Sequence, residues 1–95
     1  MVSATTIPKS DVAILNRLIL PEQANLPVTA ARAILRIDFG ESDRQRMREL
    51  SRKAQDGTLT LDERAEIEGY ERVGHLLDLM HSKARRSLKR NGSRR

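Results

Sequence analysis

The stretch Asp56-Gly57-Thr58-Leu59-Thr60-Leu61-Asp62-Glu63 decides how this chain folds. Gly57 is suited to close a preceding helix in a left-handed conformation, where a Cβ is costly. Thr60 reads as the N-cap of the next helix. Its hydroxyl can accept a hydrogen bond from the third helical amide while Glu63 reaches back to the Thr60 amide, which is a capping box. Asp62 and Glu63 place negative charge where the helix dipole is positive. One helix therefore ends here and another begins, and so short a link makes the two antiparallel neighbours.

Downstream, the second of these helices is expected to run toward Arg90. Tyr70, Val73, Leu77, Met80, Ala84 and Leu88 recur at steps of three or four and so share one stripe, flanked by Ile67 and Gly74. No proline interrupts it. Charge is sorted along it: Asp62, Glu63, Glu66, Glu68, Glu71 and Asp78 come early, and Lys83, Arg85, Arg86, Lys89 and Arg90 come late. That order suits the helix dipole at both ends. About 30 helical residues make a rod of roughly 45 Å, against a radius of gyration of about 12–13 Å for a globule of this length. One end is expected to project or to be covered by another chain.

Upstream, Ser42-Asp43-Arg44-Gln45 repeats the capping logic, with Ser42 as cap and Gln45 reaching back. A helix to about Gln55 follows, with Met47, Leu50 and Ala54 inward and Arg44, Arg46, Arg48, Arg52 and Lys53 outward or snorkelling. Before it, Leu26-Pro27 opens a helix with Pro27 at its first turn. Ala30, Ala31, Ile34, Leu35 and Ile37 form its apolar face, and Phe39-Gly40 ends it. Ser10 and Asp11 start a first helix through Leu20, whose apolar face is Val12, Leu15, Leu18 and Ile19, and Pro21 stops it. Residues 1–9 read as a flexible arm, 10–90 as one helical domain and 91–95 as a disordered basic tail.

The expected fold is thus all-α, with two short helices packed on an antiparallel pair whose second member is long. A third helix of about 13 residues, roughly 20 Å, can cover the fourth only to about Gly74. The stripe Tyr70, Val73, Leu77, Met80, Ala84 and Leu88 is therefore the predicted protein-binding face, partly exposed until another chain covers it.

Composition narrows the function classes. Of 95 residues, 38% are hydrophobic, and Phe39 and Tyr70 are the only aromatics. An aliphatic core of this size is thin, and a deep substrate pocket is not expected. Cysteine is absent, which excludes disulfides, cysteine-based zinc sites and thiol catalysis and suits a cytoplasmic setting. No apolar run approaches the 18 or so residues of a membrane span, and the N-terminus lacks a signal-peptide pattern.

The net charge of +5 is concentrated at one end. Residues 79–95 hold seven basic residues and no acid, whereas residues 1–78 hold eleven against thirteen acids. Lys83, Arg85, Arg86, Lys89 and Arg90 are accordingly the candidate nucleic-acid contacts, able to neutralise phosphates and extended by Arg94 and Arg95. The cluster has no interleaved aromatics for base stacking and no compact recognition-helix motif. A solvated helix end favoured by the dipole is the competing explanation. Membrane-surface binding is disfavoured, because the adjacent apolar stripe lacks Trp and Phe.

Little in the chain suggests catalysis. Asp56 to Glu63 overlays the second half of an EF-hand loop, but Arg52 and Ala54 stand at its first and third ligand positions and supply no oxygen ligands. His75 and His81 are six apart, not the i, i+4 pair that chelates a metal. Glu71, His75 and Asp78 share a ridge with nothing in sequence to orient them as ligands. No nucleophile-with-base signature or glycine-rich phosphate loop occurs. No cofactor, metal or enzymatic activity is expected.

The combination of Leu26-Pro27, Ala31-Arg32, Ile34-Leu35 and Asp38-Phe39, then Asp43, Arg46-Met47 and Leu50, then Gly57-Thr58-Leu59-Thr60, Glu63, Glu66, Tyr70, Val73-Gly74-His75-Leu76-Leu77 and Ser82-Lys83-Ala84-Arg85 resembles a group of small bacterial proteins common in planctomycetes and cyanobacteria. The resemblance covers about residues 26–90. It implies a companion of an adjacent HNH-type nuclease, in a two-gene arrangement like that of toxin–antitoxin pairs. It carries over no catalytic residues. The expected function is that of a non-enzymatic, antitoxin-like or accessory interaction protein, with small nucleic-acid-binding or regulatory protein as the alternative.

Overall fold

The computed structural model describes residues 9–93, which form four helices: α1 (Lys9–Ile19), α2 (Val28–Leu35), α3 (Glu41–Asp56) and α4 (Leu61–Ser93). No strand occurs among the described residues. The all-α expectation holds, and α4 is unbroken over 33 residues. The chain divides into two compact units. One is built on residues 39–73, the other on residues 9–38 with 74–93, so α4 gives its first turns to one and the remainder to the other. Among the described residues, no helix is long and apolar enough to cross a membrane.

In the 39–73 unit, the stretch around Gly57 behaves as its chemistry requires. Gly57 is left-handed (φ 71°). Its amide donates to the Ala54 carbonyl at 3.2 Å and the Thr58 amide to the Lys53 carbonyl at 2.9 Å, the paired bonds of a Schellman motif. The capping box is complete: Glu63 N donates to Thr60 Oγ1 and Thr60 N to Glu63 Oε1, both at 3.1 Å. From this turn the two helices run back antiparallel. Lys53 meets Glu63, Arg46 meets Glu66 and Asp43 meets Tyr70. Leu50, only 1% exposed, is the buried centre of the pair. Phe39 closes its end with its ring edge-to-face on Tyr70, centroids 5.6 Å apart, a favourable aromatic geometry.

Three expectations for this unit are corrected. Ser42 is not a cap. Gly40, extended and without a side chain, precedes the helix, which opens at Glu41, and the Arg44 amide bonds the Gly40 carbonyl. Glu41 and Asp43 in the first turn supply the negative charge that end favours. Ala54 is exposed. Arg46 and Lys53 are half-buried and turned to the carboxylates of α4, not to solvent.

In the other unit, Pro21 does stop α1. Leu20 precedes it in the left-handed region (φ 53°), uncommon for a residue with a Cβ. Pro27 stands just before α2 with φ −61°, its fixed ring angle suiting a helix start. That helix ends at Leu35, earlier than expected. The Ile37 amide bonds the Ile34 carbonyl in a last tight turn, and Ile37 is exposed rather than core. Leu18 also leaves the expected apolar face. Val12, Leu15, Asn16 and Ile19 occupy the inward side, and Leu18 on the other side is 72% exposed. Apart from Pro21, the buried side chains among the described residues of this unit are small: Ala31, Ala84 and Ser87, all 0% exposed. Small residues at these positions let helices approach closely. Helix α4 continues past Arg90 to Ser93, so residues 91–93 are helical and not a disordered tail. Residues 1–8 of the expected arm and Arg94-Arg95 of the expected tail lie outside the described residues.

Candidate functional site

The strongest polar constellation lies between α3 and the start of α4. Arg46 grips Glu66 with two parallel bonds, Nε to Oε2 and Nη2 to Oε1, each 2.9 Å, the bidentate arrangement that guanidinium and carboxylate favour. It also reaches Glu49 on its own helix and Glu63 Oε2 at 3.3 Å. Lys53 Nζ meets the same Glu63 oxygen at 2.6 Å. Glu63 thus serves two ends at once, one oxygen holding the cap and the other two cations.

These bonds displace the titrations. The Lys53 ammonium, the Thr60 amide and then Arg46 hold the Glu63 carboxyl down at about 2. Arg46 lowers Glu66 and is itself raised, first by Glu66 and then by Glu49. The Tyr70 hydroxyl donates to Asp43 Oδ1 at 2.9 Å, and that bond raises its pKa. Displaced titrations often mark catalytic sites. Here each has a structural partner on the facing helix, and together they clamp α3 to α4.

The clamp makes the hairpin acid-sensitive. Glu63 and Glu66 have folded-state pKa values below their unfolded values, so their stabilisation is present above the usual carboxylate range of about 4.3. It is lost as pH falls through the folded value, about 2 for Glu63. Thermal unfolding temperature should therefore fall progressively between about pH 5 and pH 2, and Glu66→Gln should flatten that limb. An unfolding temperature indifferent to pH in this window would refute the role given to the clamp.

The predicted protein-binding stripe is largely covered. Ala84 is fully buried, while Tyr70, Leu77, Met80 and Leu88 are half-buried. Val73, at 47% exposure, is the member left open. Tyr70 is held by Asp43 and Phe39 inside its own unit. The open apolar side chains of residues 9–38 are instead Ile14, Leu18, Leu20 and Ile37. Ile14 and Leu18 stand one turn apart on the outer side of α1, so they form a single apolar strip. No helical-period argument that sorts every leucine inward could have found them. In the 39–73 unit, a shallow apolar groove of about 310 Å³ runs between Met47, Ala54, Ile67 and Tyr70.

The predicted nucleic-acid contacts are organised in an unexpected way. Lys83 Nζ donates to the carbonyls of Ile19 at 2.8 Å and Leu20 at 3.4 Å. Arg86 Nη1 donates to the Pro21 carbonyl at 3.3 Å and Arg90 Nη1 to that of Ala24 at 3.2 Å. Arg85, Arg86, Lys89 and Arg90 are exposed. The cations thus tether the α1–α2 link to α4, and no sequence signal could have revealed it, because the acceptors are backbone carbonyls.

The histidines serve no common site. His81 Nε2 donates to the Ile37 carbonyl at 2.7 Å, whereas His75 Nε2 is buried and makes no hydrogen bond. Among the described residues, no three His, Cys, Asp or Glu side chains converge to hold a metal ion. The EF-hand-like stretch is likewise committed, since Thr60 and Glu63 bond one another. None of the family models, curated proteins or solved structures compared with the chain matches it.

Proposed function

We propose that the protein is a non-enzymatic interaction module that docks onto a second protein through the outer face of α1. The observation that carries this reading is the Ile14–Leu18 strip. Two large aliphatic side chains one helical turn apart, with Leu18 almost three-quarters exposed, are costly to leave in water and suit an i, i+4 anchor pair in a partner's groove. The surface moves from the α4 stripe to α1 because every member of that stripe except Val73 is buried or half-buried.

The partner is a protein with an apolar groove and an acidic rim. Residues 8–38 and 74–95 hold eleven basic residues against four acids, and Arg17 is exposed beside the strip. Complementary charge at the rim favours encounter and orientation. The resemblance to companions of HNH-type nucleases supports such a nuclease as the partner, in an accessory or antitoxin-like role. A cytoplasmic setting follows from that role and suits a cysteine-free chain.

The test is titration calorimetry of the protein against the HNH-type nuclease that the resemblance implies as its partner, with light scattering on each alone. Leu18→Asp should weaken association at least tenfold while circular dichroism and unfolding temperature stay unchanged. Unaltered binding by Leu18→Asp would sink the proposal. Concentration-dependent dimerisation that Leu18→Asp abolishes would assign the strip to self-association instead.

A further inference from the structure

We infer that the exposed basic end of α4 is a pre-set binding face for the phosphate backbone of double-stranded nucleic acid, built on Lys83, Arg86 and Arg90. The inference stands apart from the α1 docking strip and rests on how the cations are held.

Cations in the two units are anchored differently. In the 39–73 unit, Arg46, Arg48 and Lys53 bond carboxylates of Glu41, Glu49, Glu63 and Glu66, so their charge is spent locally. Along α4, Lys83, Arg86 and Arg90 bond only neutral backbone carbonyls, those of Ile19, Leu20, Pro21 and Ala24 in chain order. A carbonyl fixes a guanidinium without cancelling its charge. Residues 83, 86 and 90 recur at steps of three and four and so share one side of the helix. They are held there as a row of full positive charges.

The surroundings add little negative charge. Asp78 is the last acid on α4, and Glu22 is the one acid in the 20–27 segment that the row tethers. Each anchored guanidinium uses one of its two terminal nitrogens on the carbonyl. The remaining N–H donors of Arg86 and Arg90, both exposed, are available for the planar recognition of phosphate oxygens that arginine performs well. Arg90 also borders an open hollow of about 280 Å³ lined by Ala24, Asn25, Leu26, Pro27 and Asn91. Part of the side-chain ordering that binding would otherwise cost is thereby already met. Aromatic platforms for splayed bases are missing from this face, whose residues are Arg, Lys, Ser and Asn. That favours a duplex backbone, contacted without sequence preference, over single strands that bind by stacking.

The experiment is fluorescence anisotropy of a short, labelled mixed-sequence DNA duplex titrated with the intact protein over a salt series. Three phosphate contacts predict a loss of about 40-fold in affinity between 50 mM and 200 mM salt. Arg86→Gln, which leaves Arg90 and its tether in place, should lower the slope of log K against log salt by about one. Adding Arg90→Gln should lower it again. Arg48→Gln removes an exposed but carboxylate-paired charge and should leave the slope unchanged. Circular dichroism confirms that each variant is folded, and Arg86→Gln alone carries the test if the double variant is not. No binding at 50 mM salt overturns the inference. So does an equal loss in Arg48→Gln, which would show a response to net charge alone. Competition by polyglutamate as effective as by unlabelled duplex would also overturn it, and would point to an acidic protein as the ligand.

Discussion

Leu50→Ala is expected to lower the unfolding free energy by about 2–4 kcal/mol, the range for a fully buried leucine whose cavity collapses incompletely. Leu50 is 1% exposed and is the one large apolar side chain so completely enclosed among the described residues. Its neighbours Met47, Ile67 and Tyr70 are half-buried, and they already border an open groove. They can therefore slump toward the vacated volume, which holds the expected cost below the upper limit of about 5 kcal/mol for such changes. Small domains are stable by only about 5–15 kcal/mol, so this one truncation removes a large part of the total. Met47→Ala, at a half-buried position, should cost clearly less. Denaturant unfolding of both variants decides the matter. A loss under about 1 kcal/mol for Leu50→Ala would mean that the Arg46–Glu66–Glu63–Lys53 clamp, not the aliphatic contact, holds α3 to α4.

That clamp shows what could and could not be read from the residues alone. The turn chemistry was legible because it is local. Gly57, Thr60 and Glu63 lie within seven residues, and each has one conformational purpose there. Helix existence was legible from the three-and-four periodicity, and the long unbroken α4 from the absence of proline. The clamp was not read, although a signal for it exists. Once Gly57 is known to reverse the chain, residues roughly equidistant from it must face each other. Lys53 then meets Glu63, Arg46 meets Glu66, and Asp43 meets Tyr70. Sorting charged residues outward by default hid this register.

Other features had no such signal. Ser42 has the chemistry of a cap, but Gly40 two residues earlier already sits in the extended conformation that precedes a helix, so α3 opens sooner. Leu18 and Ile37 are apolar yet exposed, which hydropathy does not anticipate. The tethering of residues 19–24 by Lys83, Arg86 and Arg90 was hidden for a different reason. Backbone carbonyls are present at every position, so residue identity does not say which of them a distant cation will find.

The same tether rests on a residue that the sequence leaves inconspicuous. Ser87 is 0% exposed. Its Oγ accepts a hydrogen bond from the Leu26 amide at 3.1 Å and donates to the Lys83 carbonyl at 2.9 Å. It is the side chain that joins the start of α2 to α4, in the midst of the cations that hold the preceding link. Ser87→Ala should cost about 1–3 kcal/mol, because the part-buried Leu26 amide loses its acceptor. Ser87→Val should cost more, about 2–4 kcal/mol, because it forfeits the same bond and forces a second branch into a site without space. The difference between the two variants isolates the packing cost from the hydrogen-bond cost. Amide exchange supplies a readout that global stability does not: in Ser87→Ala, the Leu26 amide should lose protection while amides in the middle of α3 keep theirs. An unchanged Leu26 exchange rate would show that another acceptor holds that amide. The start of α2, and with it the spacing of the carbonyls that fix Arg86 and Arg90, would then be set by the chain turn at Pro21 and Pro27 rather than by Ser87.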